Sequence, residues 1–332
     1  MAAEPDALLQ AQRPAASGRD RAGLSADSLK KHALVLILIA LVVASQALYP
    51  RFLEPQNILN ILSQNAPLGI VAVGMTLVML TGGFDLSVGA VFAAAATLYA
   101  SLALAGWPLP IAFGATLLLG LTAGLLNGLL ITRLEVNPFV ATLGTMSAFT
   151  GLALIYSDSA SFTVVSDGFS GLGRGAVAGL PISILILTGF LLAGQFVLSM
   201  TVWGRQLYAV GGNSEAARLA GLNVSRVRGA TYVLCSACAA IGGMILASRL
   251  EMGQADLGGA LALDAIAVVV IGGTSLSGGR GSVWQTCLGL LLIAILGNLL
   301  DSLAVDTNYQ LVIKGVIVVA AVSLDSLSRA GR

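Results

Sequence analysis

The sequence predicts an all-α fold: a polytopic membrane bundle of about ten spans, one short or broken, with both termini cytoplasmic. Composition, the lengths of the apolar runs and the placement of Lys and Arg carry this reading. Of 332 residues, 57% are hydrophobic and 10% charged, and mean hydropathy is +0.91. A soluble domain carries about 25% charge. So much apolar side chain excludes a soluble enzyme, a secreted disulfide scaffold and a nucleic-acid binder. The 40 glycines suit helices whose backbones approach closely in lipid. A net charge of +1 implies neither an acidic nor a basic partner.

Residues 1–31 are polar, without apolar periodicity, and read as a disordered cytoplasmic tail. No convincing small-residue cleavage site follows the first apolar run, so it reads as a retained anchor. A bilayer core of about 30 Å needs roughly 20 helical residues. The candidate spans are 32–49, 58–80, 86–106, 109–132, 138–156, 181–200, 229–249, 263–273, 283–300 and 308–327. They form one transmembrane domain, 32–327, with its longest cytoplasmic connection at 201–228 and a short cytoplasmic end at 328–332. The eighth span is too short alone and runs into Gly272, Gly273, Gly278 and Gly279, as a broken or re-entrant segment does.

With the amino terminus inside, the inner side holds Arg13, Arg19, Arg21, Lys30, Lys31, Arg133, Arg205, Arg218, Arg226, Arg228, Arg280, Arg329 and Arg332. The outer side holds only Arg51, Arg174 and Arg249, a bias of thirteen to three that fixes the orientation. Outer loops are acidic, with Glu54, Asp158, Asp167, Glu251, Asp256, Asp301 and Asp306. Gly82–Ser87 echoes Gly272–Ser277 at an offset of 190 residues, and both turns fall on the inner side.

No catalytic apparatus is evident. The Gly-rich stretch Gly273–Arg280 has Gly279 where a phosphate-binding loop needs Lys, so this chain binds no ATP itself. One histidine, His32, at a span edge makes neither a zinc site nor an acid–base set. Cys235 and Cys238 lie in an apolar run and read as small helix residues, with no redox context. No cofactor or metal is expected on the chain.

Within 201–228, Asn213 or Ser214 is placed to cap a helix and Gly221 to end it. Glu215, Ala216, Ala217 and Arg218 between them form helix readily, and Glu215 suits the positive end of the dipole. So short a helix needs a packing partner, either this chain or a docked cytoplasmic subunit.

The chain resembles the permease subunits of ribose-type sugar ABC importers. The resemblance rests on GMTLVMLTGGFDLSVGA at 74–90, LNGLLITRLEVNPFVATLGTM at 126–146, GRQLYAVGGNSEAARLAGLNVSRVR at 204–228 and LDAIAVVVIGGTSLSGGRGSV at 263–283. It implies a homodimer in the bacterial inner membrane, served by a cytoplasmic ATPase that carries ATP and Mg and by a periplasmic sugar-binding protein. It also implies that Gly212, Asn213, Glu215, Ala216, Ala217, Arg218 and Gly221 form the coupling helix that docks in the ATPase. The tail lies outside the resemblance.

Polar residues inside spans are the remaining signal, because a charge at a span centre costs about 2.5–3.5 kcal/mol. Asp85 and Asp264 each open a span, as a helix cap or a gate contact. Lys314 snorkels or pairs with a carboxylate. Asn65, Asn127 and Asn298 bond between helices or, with Gln64, Thr142 and Thr145, line a polar path for a sugar. Gly124 and Gly128 mark close helix contact, within one subunit or between two. The competing function is a proton- or ion-coupled secondary transporter, which needs the buried carboxylate or histidine relay this sequence scarcely has.

Overall fold

The computed structural model describes residues 26–330, in the order α1 (Ala26–Leu48), α2 (Pro55–Leu80), α3 (Val88–Leu104), α4 (Leu109–Thr132), α5 (Pro138–Ser157), β1 (Phe162–Thr163), α6 (Asp167–Arg174), β2 (Ala176–Val177), β3 (Leu180–Pro181), α7 (Ile182–Met200), α8 (Val202–Gly212), α9 (Ser214–Leu219), α10 (Val224–Leu250), β4 (Met252–Gly253), α11 (Leu261–Ile271), α12 (Val283–Ser302) and α13 (Thr307–Ala330). Every expected span coincides with a helix, and six are long and apolar enough to cross a membrane: α2, α4, α5, α7, α10 and α12. Residues 26–31, assigned by sequence to the tail, belong to α1. The expectations for residues 1–25 and for the side chains of His32 and Lys314 lie outside the described residues.

The bundle is built around α2 and α10, which are mostly buried, while α4, α5 and α7 turn most of their surface outward. Pro55 occupies the first turn of α2, where its missing N–H costs no helical bond. The pairing of α4 with α10 is glycine-driven. A Cβ on Gly120 would stand 2.6 Å from Ala240 Cβ, and one on Gly124 would stand 2.5 Å from both the Tyr232 carbonyl and Val233 Cα. Gly128 continues the row against Gly229. The small-residue spacing therefore closes a seam within this subunit.

α11 has 11 residues and rises about 16 Å, half of a bilayer core. The chain before it descends in non-helical form along α3, with Gly253 against the Ala96 carbonyl and Gly258 against Gly89. β4 there pairs antiparallel with β1, Phe162 opposite Gly253. Gly253, Ala255 and Gly258 are buried by protein, the condition under which irregular backbone survives at membrane depth. The eighth segment is thus broken, as its length requires.

The ends of the bundle are distinct. α10 begins directly after α9, and Arg228 Nη2 donates to the Thr81 carbonyl at 3.3 Å, placing the end of α2 there. Towards the opposite end Arg249 Nη1 donates to Ser63 Oγ, in the third turn of α2, at 3.5 Å. The Gly-rich turns at 81–87 and 272–282 both lie at the α9 end and pack on each other. The Gly279 amide donates to the Leu80 carbonyl at 2.9 Å, and a Cβ on Gly82 would stand 3.3 Å from the Ser277 carbonyl.

Candidate functional site

Two constellations stand out, an exposed short helix and a buried polar chain beneath it. α9 is capped at both ends by the residues the sequence marks. Asn213, extended at φ −158°, accepts at Oδ1 from the Glu215 amide at 3.1 Å and the Ala216 amide at 2.9 Å. Gly221 takes the left-handed conformation at φ +84°. Its amide donates to Arg218 O and the Leu222 amide to Ala217 O, each at 3.0 Å, the paired bonds of a Schellman stop. Glu215 and Arg218 form a two-point ion pair with Arg218 Nη2 2.6 Å from Glu215 Oε1. Arg218 holds the Glu215 carboxyl below its ordinary value, first by hydrogen bonding and then by charge. Both side chains are exposed, so this orders the helix surface and adds little stability.

Only Ala217 of α9 is buried, at 5% exposure, and it joins the main core. Gly212, Asn213, Glu215, Ala216, Arg218 and Ala220 are exposed, and Leu219 is 76% exposed. The small surface expected from Ala216, Ala217 and Ala220 is thus divided: one alanine anchors and two face out. The expected loop also contains a helix that composition did not reveal, α8. Its Leu207 and Val210 are buried, and Tyr208 Oη donates to the Gly281 carbonyl at 2.8 Å. Gly211 lies against the Leu80 carbonyl and the Gly279 amide, too close for any side chain. α8 therefore seats α9 on both Gly-rich turns. The Thr201 hydroxyl, accepting from the Gly204 amide at 3.0 Å, was the legible sign of its start.

Beneath this platform, hydrogen bonds run from the α2–α3 turn through α4 to α5. Asp85 Oδ1 accepts from the Ser87 amide at 3.0 Å and the Ser87 hydroxyl at 2.6 Å. Asn127 Nδ2 donates to Ser87 Oγ at 2.7 Å, and Thr145 Oγ1 donates to Asn127 Oδ1 at 2.7 Å. Asp85, Ser87 and Asn127 are 0% exposed and Thr145 is 7%. Tyr232 of α10 closes one side, its hydroxyl donating to the Phe84 carbonyl at 3.4 Å. Ser87 is the junction, and no sequence argument singled it out; the Asp-Leu-Ser spacing was the available cue.

The other polar candidates separate. Thr142 bonds back to the Pro138 carbonyl at 2.8 Å and Asn65 to the Ile61 carbonyl at 2.9 Å, each within its own helix. Asn298 of α12 pairs with Asn57 of α2 at 3.2 Å. Asp264 lies in the first turn of α11, whose cap residue is Ala260. Gln64 alone is exposed. Cys235 and Cys238 are buried free thiols, with the Cα of Cys235 and the Sγ of Cys238 against Gly74.

Known proteins resemble the chain over most of its length. It is 44% identical over 290 residues to the ribose import permease protein RbsC of Bacillus subtilis (strain 168), covering 87% of this chain and 90% of that one. It is 37% identical over 302 residues to RbsC of Escherichia coli (strain K12), covering 90% and 94%. It is 32% identical to the xylose transport system permease protein XylH of the same strain, covering 89% and 92%. No solved structure matches. Residues 57–322 match the family described as branched-chain amino acid transport system / permease component, and with a bundle to cross the membrane and a capped helix standing out from one end, the chain belongs to that family of transport permeases.

Proposed function

We propose that the protein is the membrane subunit of an ATP-binding-cassette sugar importer, working as a homodimer in the bacterial inner membrane. The observation that carries the reading is α9, a doubly capped helix with one buried residue and an otherwise open surface. This chain holds so short a helix by its caps and by Ala217, which leaves the rest of its surface open to a docked cytoplasmic subunit. The identity to ribose and xylose import permeases supplies the substrate class, a pentose or related monosaccharide.

In this reading the α9 end faces the cytoplasm. Arg133, Arg205, Arg218, Arg226, Arg228 and Arg280 cluster there, against Arg51, Arg174 and Arg249 opposite. The ATPase, carrying ATP and Mg, grips Asn213–Gly221, and a periplasmic binding protein delivers sugar to the far end. A displacement of α9 passes through α8 to Leu80 and Gly279, and through α10 to Thr81, so both Gly-rich turns feel it. The permease performs no covalent step; ATP shifts the balance between two packings of its helices.

Reconstitution tests this. Vesicles holding the chain, its ATPase and the loaded binding protein take up radiolabelled D-ribose with ATP, and vesicles lacking the ATPase do not. Uptake by the lone chain under a proton gradient refutes the proposal in favour of a secondary transporter.

A further inference from the structure

On the outward-turned helices most of the exposed residues are apolar, as lipid demands: α4 shows Ile111, Leu118, Leu125, Leu126 and Leu129 beside Thr122, and α7 shows Leu185, Leu192 and Phe196 beside Thr188 and Ser199. α2 is the exception. Its exposed residues are Pro55, Gln56, Asn60 and Gln64, and none of them is a large apolar side chain. The three amides recur every fourth position, which places them on one helix face. Gln56 Nε2 donates to Asn60 Oδ1 at 3.2 Å, and the Ser63 hydroxyl donates to the Asn60 carbonyl at 3.3 Å. Arg249, from the far end of α10, reaches Ser63 Oγ at 3.5 Å and brings a guanidinium to the same face.

Depth makes this face costly. α2 has 26 residues, about 39 Å against a bilayer core of about 30 Å. Gln64 is nine residues beyond Pro55, about 14 Å along the axis, well below the helix end. An amide there in contact with hydrocarbon leaves its N–H and C=O groups unsatisfied. Further down, the same face closes onto α10: a Cβ on Gly242 would stand 3.1 Å from the Pro67 carbonyl, and one on Gly74 would stand 2.8 Å from Cys235 Cα. The two helices are packed at depth and polar where α2 is uncovered.

We infer that Gln56, Asn60, Ser63 and Gln64 of α2, with Arg249 of α10, line a water-filled vestibule that receives a neutral polyhydroxylated solute at the end of the bundle opposite α9. Amides and a hydroxyl offer both donors and acceptors, matching the alternating requirements of sugar hydroxyls, and Arg249 adds a planar donor fork for a vicinal pair. The choice of a sugar rests on the proposed function; the presence of water on this face does not.

Thiol accessibility tests the inference without needing the ATPase. Asn60→Cys and Gln64→Cys are introduced singly, with Leu118→Cys, 61% exposed on the apolar surface of α4, as the lipid-facing control. The unsubstituted protein gives the background. A charged, membrane-impermeant methanethiosulfonate should label the two α2 positions at least about tenfold faster than Leu118→Cys, because only a thiol that ionises in water reacts. Labelling as slow as the control places this face in lipid and overturns the inference. Ready disulfide bonding between two copies at Gln64→Cys, without labelling, makes the face a subunit seam and overturns it equally. In the reconstituted importer Gln64→Leu should lower D-ribose uptake about threefold to tenfold through the lost hydrogen bond, with ATPase binding unchanged. Fast labelling with normal Gln64→Leu uptake would refute the sugar contact alone.

Discussion

Asn127→Leu is the most informative single change in the buried polar chain. Asn127 is 0% exposed and spends both ends of its amide on neighbours, donating to Ser87 and accepting from Thr145, each at 2.7 Å. Leucine has the same branched heavy-atom skeleton with bulkier termini, so no cavity opens and the polar loss is what the change removes. Thr145 retains a weaker acceptor, the Thr142 carbonyl at 3.2 Å, so its hydroxyl is not stranded. Ser87 Oγ loses the Asn127 donor while still donating to Asp85, and that carboxylate then rests on a less well-held hydroxyl. A single interhelical bond in a membrane protein averages about 0.6 kcal/mol, but a buried acceptor left without a donor costs about 1–3 kcal/mol. The second figure governs here, because Ser87 has no lipid-phase alternative. A thermal-unfolding series in detergent should show Asn127→Leu melting roughly 2–6 °C below the unsubstituted protein. Thr145→Val should cost about 0.5–1 kcal/mol alone and much less in the Asn127→Leu background, since the two share one bond. Strict additivity of the pair, or an unchanged midpoint for Asn127→Leu, would refute the claim that these residues form one network.

Four other outcomes follow from the same geometry. Gly124→Leu forces a branched side chain into the backbone of Tyr232 and Val233 and should cost about 3 kcal/mol, read as a collapse in folded yield by size-exclusion chromatography. Glu215→Lys places like charges at Glu215 and Arg218 and should abolish co-purification of the ATPase while leaving the permease folded; undiminished co-purification contradicts the docking role of α9. The Glu215 carboxyl is held below its ordinary value of 4.5, so its pairing with Arg218 is complete above that value and is lost only as pH falls through the lower folded one. ATPase docking measured across about pH 6–8 should therefore show no Glu215-linked change. Cys235 and Cys238, both buried, should stay unreactive toward an impermeant thiol reagent in the folded protein and react after denaturation.

Much of the fold was legible because lipid imposes a strong rule. A helix in hydrocarbon must be apolar for about 20 residues, so α2, α4, α5, α7, α10 and α12 announce themselves by length and composition. The caps of α9 were equally legible, since Asn213 and Gly221 act through local backbone geometry. α8 was not: it is amphipathic and short, and it is held by contacts with Leu80 and Gly281 that lie far away in sequence. The polar candidates divide for the same reason. Asp85, Asn127 and Thr145 were visible as polar residues in apolar surroundings, but their convergence on Ser87 depends on how three helices meet. Sequence also could not assign Gly124 and Gly128 to an internal seam, because a small face looks alike whether the partner helix is in the same chain or another.

The distribution of glycine then sets how a push on α9 can travel. Where backbones touch without side chains between them, as in α2 against α10 and α4 against α10, elements cannot slide without overlap, and such interfaces move as a unit. The two Gly-rich turns sit where α8 and α10 meet that unit, and Gly82, Gly278 and Gly279 all hold positive φ there. α9 itself contributes only Ala217 to the core, so it can be drawn outward at small cost in buried surface. In the proposed importer, a lever with a weak anchor, seated on turns that tolerate unusual backbone angles and backed by a tightly packed core, would pass a displacement on to α2 and α10 as whole helices. The uncovered polar face of α2 lies at the other end of that same helix, so a grip at Asn213–Gly221 would reach the place proposed for solute entry.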